Sequence, residues 1–207
     1  AVAAQLHGQI AVTGRLAGSA ADARLDADLD GTVMAAGMPA GEPGRLTARL
    51  RAEHLPHAPV AHLGVQGMLA GAPVEIDLAA ARAPDGVARL EIRRAEWRSA
   101  RAAGTLELAA GGIWPTGRLE AGASRLDDFA PLLRERMTGS LSAVIQGGPE
   151  SVSIKAEAEN PDVAGIGTAR RAWLNATVRD PAATPVLDGE VGLDAAAIAG
   201  LAGSARL

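Results

Sequence analysis

Gly44-Arg45-Leu46-Thr47-Ala48-Arg49-Leu50-Arg51-Ala52 places apolar side chains at 46, 48, 50 and 52 and arginine or threonine at 45, 47, 49 and 51. Successive side chains of a strand point to opposite faces, so this stretch has one oily face and one wet face. A glycine opens it. The same phrase, Gly-x-aliphatic-x-apolar, returns at Gly104-Thr105-Leu106-Glu107-Leu108, Gly117-Arg118-Leu119-Glu120-Ala121, Gly139-Ser140-Leu141-Ser142-Ala143 and Gly189-Glu190-Val191-Gly192-Leu193. One structural idea is being reused at irregular spacing, which is unlike a chain built around a single catalytic centre.

The pattern extends in both directions. Ile10 and Val12 lie on one face of an alternating run from Leu6 to Leu16, and Leu25 and Leu29 on one face of a run from Ala21 to Asp30. After a Gly/Pro-rich break over 37–44 come Leu46 and Leu50. Then follow Leu63 and Val65, next Val74, Ile76 and Leu78, and next Leu90 and Ile92. Ala95 and Trp97 occupy odd positions, so the phase slips near Arg93-Arg94; a one-residue slip inside a strand indicates a bulge. Further strands carry Leu106 and Leu108, then Leu119, then Leu141 and Ile145, then Val152 and Ile154, then Leu174 and Val178, and finally Val191 and Leu193.

Between them, Asp127 to Met137 reads as a short helix, with acids early, Pro131 in the first turn, arginines late and Gly139 beyond. Residues 194–207 are too rich in alanine to assign, with a frayed helix as one reading. The expectation is eleven or twelve strands of about seven to eleven residues, with short connections that favour antiparallel neighbours. A first β segment (1–125), a helical insertion (126–138) and a second β segment (139–207) continuous with the first describe the organisation.

Composition narrows the function. The 207 residues carry a net charge of −4, no Cys, no Tyr and one Phe. With no basic block and few stacking aromatics, nucleic acid is not an expected partner. Disulfides and thiolate metal sites are excluded. No apolar run approaches the ~18 residues of a membrane span. The chain starts without Met or a charged leader, already in pattern, and is expected to be a piece of a longer protein.

Chemistry-bearing motifs are scarce. Asp26-Ala27-Asp28-Leu29-Asp30-Gly31 looks like the start of a calcium loop, but the twelfth position is Gly37 rather than an acid and the flanks are strand-like, so a solvated strand face is the expectation. His54, His57 and His62 lie among Pro56 and Pro59 without an evident further ligand, and read as loop residues rather than a zinc site. Gly165-Ile166-Gly167 lacks the third glycine of a dinucleotide fingerprint, and nucleophile-elbow, zincin and P-loop motifs are absent. No catalytic residue, cofactor or metal is nominated. Trp97, Trp114 and Trp173 are expected to pack at strand ends or rims.

One oily face over a dozen strands has to be hidden. A sandwich, a closed barrel and a curled open sheet are the three solutions. Two facing sheets need bulk between them to reach native packing density, and with aromatics at 2% that bulk is scarce. An outer-membrane barrel wants aromatic girdles. The expected fold is all-β and mostly antiparallel, with one short helix near 127–137; a curled sheet forming an open apolar trough suits the scarcity of bulk, while the residues alone leave open whether the sheet is open or closed. The aliphatic positions numbered above would line the groove.

The Gly-x-Leu-x-Leu phrase, the turns at Pro84-Asp85 and Asp180-Pro181, the segment Leu126-Asp127-Asp128-Phe129-Ala130-Pro131-Leu132-Leu133 before Thr138-Gly139-Ser140-Leu141, and Ala95-Glu96-Trp97-Arg98 resemble the TamB and AsmA-like family of Gram-negative bacteria. The resemblance implies a β-taco trough within a long periplasmic protein anchored in the inner membrane. It also implies a non-enzymatic role in outer-membrane biogenesis, by shielding phospholipid acyl chains between the two membranes, with an Omp85-class (TamA-like) outer-membrane partner engaged by other parts of the full chain. The alternative is a chaperone-like groove that holds unfolded outer-membrane strands, an apolar peptide in place of lipid.

Overall fold

The computed structural model describes residues 6–35, 43–112, 114–133, 136–180, 184–198 and 201–206. The strands are β1 (Leu6–Gly18), β2 (Ala23–Ala35), β3 (Gly44–Leu55), β4 (Val60–Leu69), β5 (Ala72–Arg82), β6 (Ala88–Trp97) and β7 (Ala100–Leu108). They continue with β8 (Thr116–Ala123), β9 (Met137–Gly147), β10 (Ser151–Val163), β11 (Gly167–Thr168), β12 (Arg171–Arg179), β13 (Val186–Ile198) and β14 (Leu201–Arg206). All belong to one curled sheet, every pairing in it antiparallel. From β1 to β10 each strand pairs with the next in sequence; β10 then meets both β11 and β12, and β13 pairs with β11, β12 and β14. The ends of the sheet do not meet, so it is not a closed barrel.

Alternation explains the strands, and the register keeps it in phase. In β3 and β4 the apolar positions are half-buried or buried while their arginine, glutamine and histidine neighbours are exposed. The slip at Arg93-Arg94 is a bulge: Asp77 opposes Arg94 while Leu78 opposes Ile92, and on the other side Ile92 and Ala95 oppose Gly104 and Ala102. Further register shifts occur within β10, between Glu159 and Asp162, and within β13, between Leu193 and Ala196. Such irregularities increase local twist and bend a sheet.

Three of the recurring glycines serve the same end. Gly104, Gly117 and Gly139 have φ of +156°, +121° and +100°, and a Cβ at each would lie 2.2, 2.1 and 2.5 Å from a cross-strand carbonyl oxygen. Only glycine lets neighbouring backbones approach so closely in that conformation.

Three expectations are corrected. The helix is shorter than 127–137: a 3-10 turn spans Leu126–Phe129 and a single α turn, α1, spans Ala130–Leu133. Residues 134 and 135 lie outside the described residues, and Met137 already belongs to β9, opposite Val163. Residues 194–206 are not helical where described: β13 runs on to Ile198 and turns back as β14. Pairing with neighbours decides the conformation there, overriding the helix preference of alanine. The described strands number fourteen rather than eleven or twelve, because the two-residue β11 and β14 add to the expected set, and four of them reach thirteen residues. The helical segment does not interrupt the sheet, since β8 pairs with β9 directly. The 37–44 break lies mostly outside the described residues.

There is no second layer among the described residues. Ala27, Ala52, Trp97, Ala123 and Val152 are buried, all on the apolar side of the ladder, yet among the described residues no large side chain is fully enclosed. The accessible surface is 13118 Å² for 20.9 kDa. A compact globular chain of that mass exposes roughly 9,000 Å². The excess is what one sheet with both faces uncovered produces.

Candidate functional site: an uncovered apolar face

Following the register across the sheet converts the alternation of each strand into rows. One row runs Gly14, Ala27, Leu50, Leu63, Leu78, Ile92, Gly104, Leu119, Ile145, Ile154, Ala176, Gly189. The next runs Val12, Leu29, Ala48, Val65, Ile76, Ala95, Ala102, Ala121, Ala143, Ala156, Leu174, Val191. A flanking row contains Leu25, Leu90, Leu106, Val152 and Val178; the other contains Ile10, Leu46, Val74, Leu141 and Leu193. Leu108, opposite Ala88, extends the same face one step further. All the aliphatic positions singled out from the sequence thus share one face, in four rows that cross twelve strands without a charged residue. At ~4.8 Å per strand the rows are about 50 Å long.

The relief of this face follows from side-chain size. From β6 to β10 the second row is five alanines in succession, beside a row of Ile92, Gly104, Leu119, Ile145 and Ile154 on one side and a row of Trp97, Ala100, Ala123, Leu141 and Ala158 on the other. That is a low strip of methyl groups with taller aliphatic side chains mainly along one side. Leu90, Leu141, Ile145 and Val191 remain exposed on it. It is a broad surface without polar anchors, suited to linear apolar ligands rather than to a compact polar one.

The opposite face is charged and self-neutralising. Asp28 accepts from Arg49 at 2.8 Å, and Asp26 lies 3.0 Å from Arg24 and 3.6 Å from Arg51. Arg94 donates to both Glu75 oxygens at 3.1 Å, and Arg118 meets Glu120 at 2.7 Å. Hydrogen bonding to Asp28, and then its charge, pushes the Arg49 guanidinium up. The aspartates that resemble a calcium loop are strand residues of β2, with Asp26 and Asp28 engaged by arginines. His54 lies 3.3 Å from Asp22, and among the described residues no three His, Asp or Glu gather as a metal site would require.

Several hollows lie on this charged side, one of about 760 Å³ bounded by Arg94, Glu96, Arg101, Glu120, Glu157 and Glu159. Another, of about 430 Å³, is lined by Leu16, Ala23, Leu55 and Pro56 without a charged side chain. Trp173 is on this face too, its ring lying over Gly192, where a Cβ would sit 1.9 Å from it. Trp114 is exposed beside Pro115.

One feature the sequence did not disclose is a clasp at one corner. Trp97 is 7% exposed and donates its indole N–H to the Leu69 carbonyl at 2.9 Å. The Phe129 ring meets it edge-on at 5.5 Å. Asp128, 4% exposed, accepts from the Ser99 N–H at 3.1 Å and from Arg125 at 3.2 and 3.3 Å, with Arg98 at 3.6 Å. Hydrogen bonding from Ser99 outweighs the cost of burial and, with the Arg125 charge, holds this carboxyl below the usual aspartate range. The clasp ties the β4–β5 turn, the β6–β7 turn and the 3-10 turn together, and brings Phe129 against the apolar side of the corner. The acids of Leu126-Asp127-Asp128 were legible only as helix-start residues; the partner Ser99 is too far away in sequence to announce itself.

These features define a single-layer amphipathic β-sheet with an open apolar face. No family model, no curated protein and no solved structure matches the chain.

Proposed function

We propose that this chain is a non-enzymatic segment of a conduit whose apolar face shelters phospholipid acyl chains in transit between the inner and outer membranes. In this reading it works in the periplasm, as part of a longer anchored protein, and other parts of that protein meet an Omp85-class partner. The observation that carries the reading is the set of four unbroken apolar rows, with no second layer over them among the described residues. Such a face needs an apolar cover. The alanine strip beside the row of Ile92, Leu119, Ile145 and Ile154 suits a methylene chain lying across the strands. A continuous face that offers the same surface at every strand lets a ligand slide without crossing a polar barrier. The family resemblance carried by the Gly-x-aliphatic phrase and the 126–141 segment implies the same role.

The test is lipid extraction and mass spectrometry on the detergent-free protein. Near-stoichiometric phospholipid is expected, lost in the double variant Leu50→Asp, Ile76→Asp while the β spectrum is kept. Lipid-free protein with no dye-accessible apolar surface would overturn the reading.

A further inference from the structure

The charged face also has rows across the strands, and one of them dips where its side chains are small. It runs Glu96, Arg101, Gly122, Ser142, Glu157, Trp173, Gly192. Gly122 and Ser142 make a saddle between Arg101 on one side and Glu157 and Trp173 on the other. The hollow of about 760 Å³ and a second of about 290 Å³ meet over this saddle, sharing Ser142 and Glu157. Together they reach from Arg94 of β6 to Trp173 and Asn175 of β12. Five strand steps at ~4.8 Å give a course about 24 Å long.

One end of this course is built around an aromatic ring. Gly192 makes room for the Trp173 indole on the charged side, where alternation would put a polar residue. The Arg171 guanidinium stands over the ring at 5.7 Å from its centroid and is itself held by Glu157. The indole is half-buried and lines the smaller hollow, with Lys155 and Asn175 exposed beside it. Among the described residues neither Lys155 nor Arg101 has a salt-bridge partner, so both heads are available to a ligand. The floor offers hydroxyls and bare backbone, and the walls carry both signs of charge. Such surroundings disfavour an aliphatic ligand and a polyion of either sign. They match a neutral ligand that is rich in donors and acceptors and has a flat C–H face: a sugar ring lays that face on an indole and turns its hydroxyls to amide, carboxylate and cationic groups.

We propose that this hollow is a binding cleft for a linear oligosaccharide, with Trp173 as the stacking platform and Ser142, Asn175, Lys155 and Arg101 as hydroxyl partners along its course. The backbone of the sheet separates the cleft from the apolar face, so the inference is independent of what that face carries.

The test titrates the 207-residue chain with cellohexaose and chitohexaose, reading the indole N–H resonances of its three tryptophans. At millimolar concentration at least one probe is expected to shift the Trp173 resonance and to leave those of Trp97 and Trp114 in place. Trp173→Ala is expected to weaken binding by roughly tenfold or more. Ser142→Arg, which fills the saddle, is expected to do the same with an unchanged β spectrum. The Leu50→Asp, Ile76→Asp variant is expected to bind the sugar as the native chain does, so sugar binding and lipid loading stand or fall separately. No shift with either probe, equal shifts of all three indoles, or native binding by Trp173→Ala and Ser142→Arg would each overturn the proposal.

Discussion

Replacing Asp128 with alanine should open the clasp at the sheet corner without unfolding the sheet. In the native protein its carboxylate accepts the Ser99 N–H at 3.1 Å and is held by Arg125. A hydrogen bond to an ionised group contributes about 1.5–3 kcal/mol, and its loss leaves a sheltered N–H without a partner. Taking ~2 kcal/mol, the open state of the corner becomes about 30-fold more populated, since 1.36 kcal/mol is tenfold. Amide exchange at Ser99 reads this directly, and Trp97 emission, with Phe129 no longer against the ring, should move to the red. The effect depends on pH with a definite sign. The folded-state value lies below the unfolded one, so the charge stabilises the corner fully above about pH 5 and the contribution fades as pH falls through the depressed folded value. Asp128→Asn keeps an acceptor oxygen, should accelerate exchange less than alanine, and should abolish this acid dependence. Ser99 exchange and Trp97 emission that stay native in Asp128→Ala would show that the carboxylate does not hold the corner.

Gly117→Ala, at φ +121° and with its Cβ 2.1 Å from the Thr105 carbonyl oxygen, should cost about 1–3 kcal/mol or more and loosen the β7–β8 hairpin, seen as faster exchange there; a neutral outcome would remove the reason given for that glycine. Gly192→Ala should displace the Trp173 ring and change its fluorescence, whereas Gly64→Ala, where a Cβ meets nothing within 4 Å, should be silent. In the Leu50→Asp, Ile76→Asp variant, loss of the β spectrum together with lipid would indicate that this face is a sealed core rather than an accessible surface.

The parts of the fold that could be read from sequence are those written in short periods. Leu46, Leu50, Leu63 and Val65 announce both the strand and the face, and Ala95 and Trp97, by falling on odd positions, announce the bulge at Arg93-Arg94. The extent of the helix was not legible. Arg134 and Arg136 imitate a helix C-terminus, but Met137 and Thr138 find partners in Val163 and Asp162, and those partners lie a strand away. The alanines of 195–197 carry almost no phase information, so only the ladder reveals them as strand. The apolar face itself was visible residue by residue, because parity within each strand is preserved across the register. Its relief, the run of alanines beside Leu and Ile, emerges only when rows are read across strands. The clasp depends on Trp97, Ser99, Asp128 and Phe129 meeting across two hairpins, a coincidence no local pattern encodes.

The order of strands has a mechanical and evolutionary corollary. From β2 to β9 each strand pairs with the one before and the one after, and beyond that ladder the corner clasp joins Trp97 of β6 to Leu69 of β4. Stability in such an array is close to a sum of neighbour terms, as in solenoids, rather than the property of one shared interior. Hairpins can therefore be gained or lost without redesigning the remainder, and unfolding should peel inward from the margins, with the middle strands the last to exchange. Length becomes a free variable: hairpins can be added to such a sheet without altering those already in it.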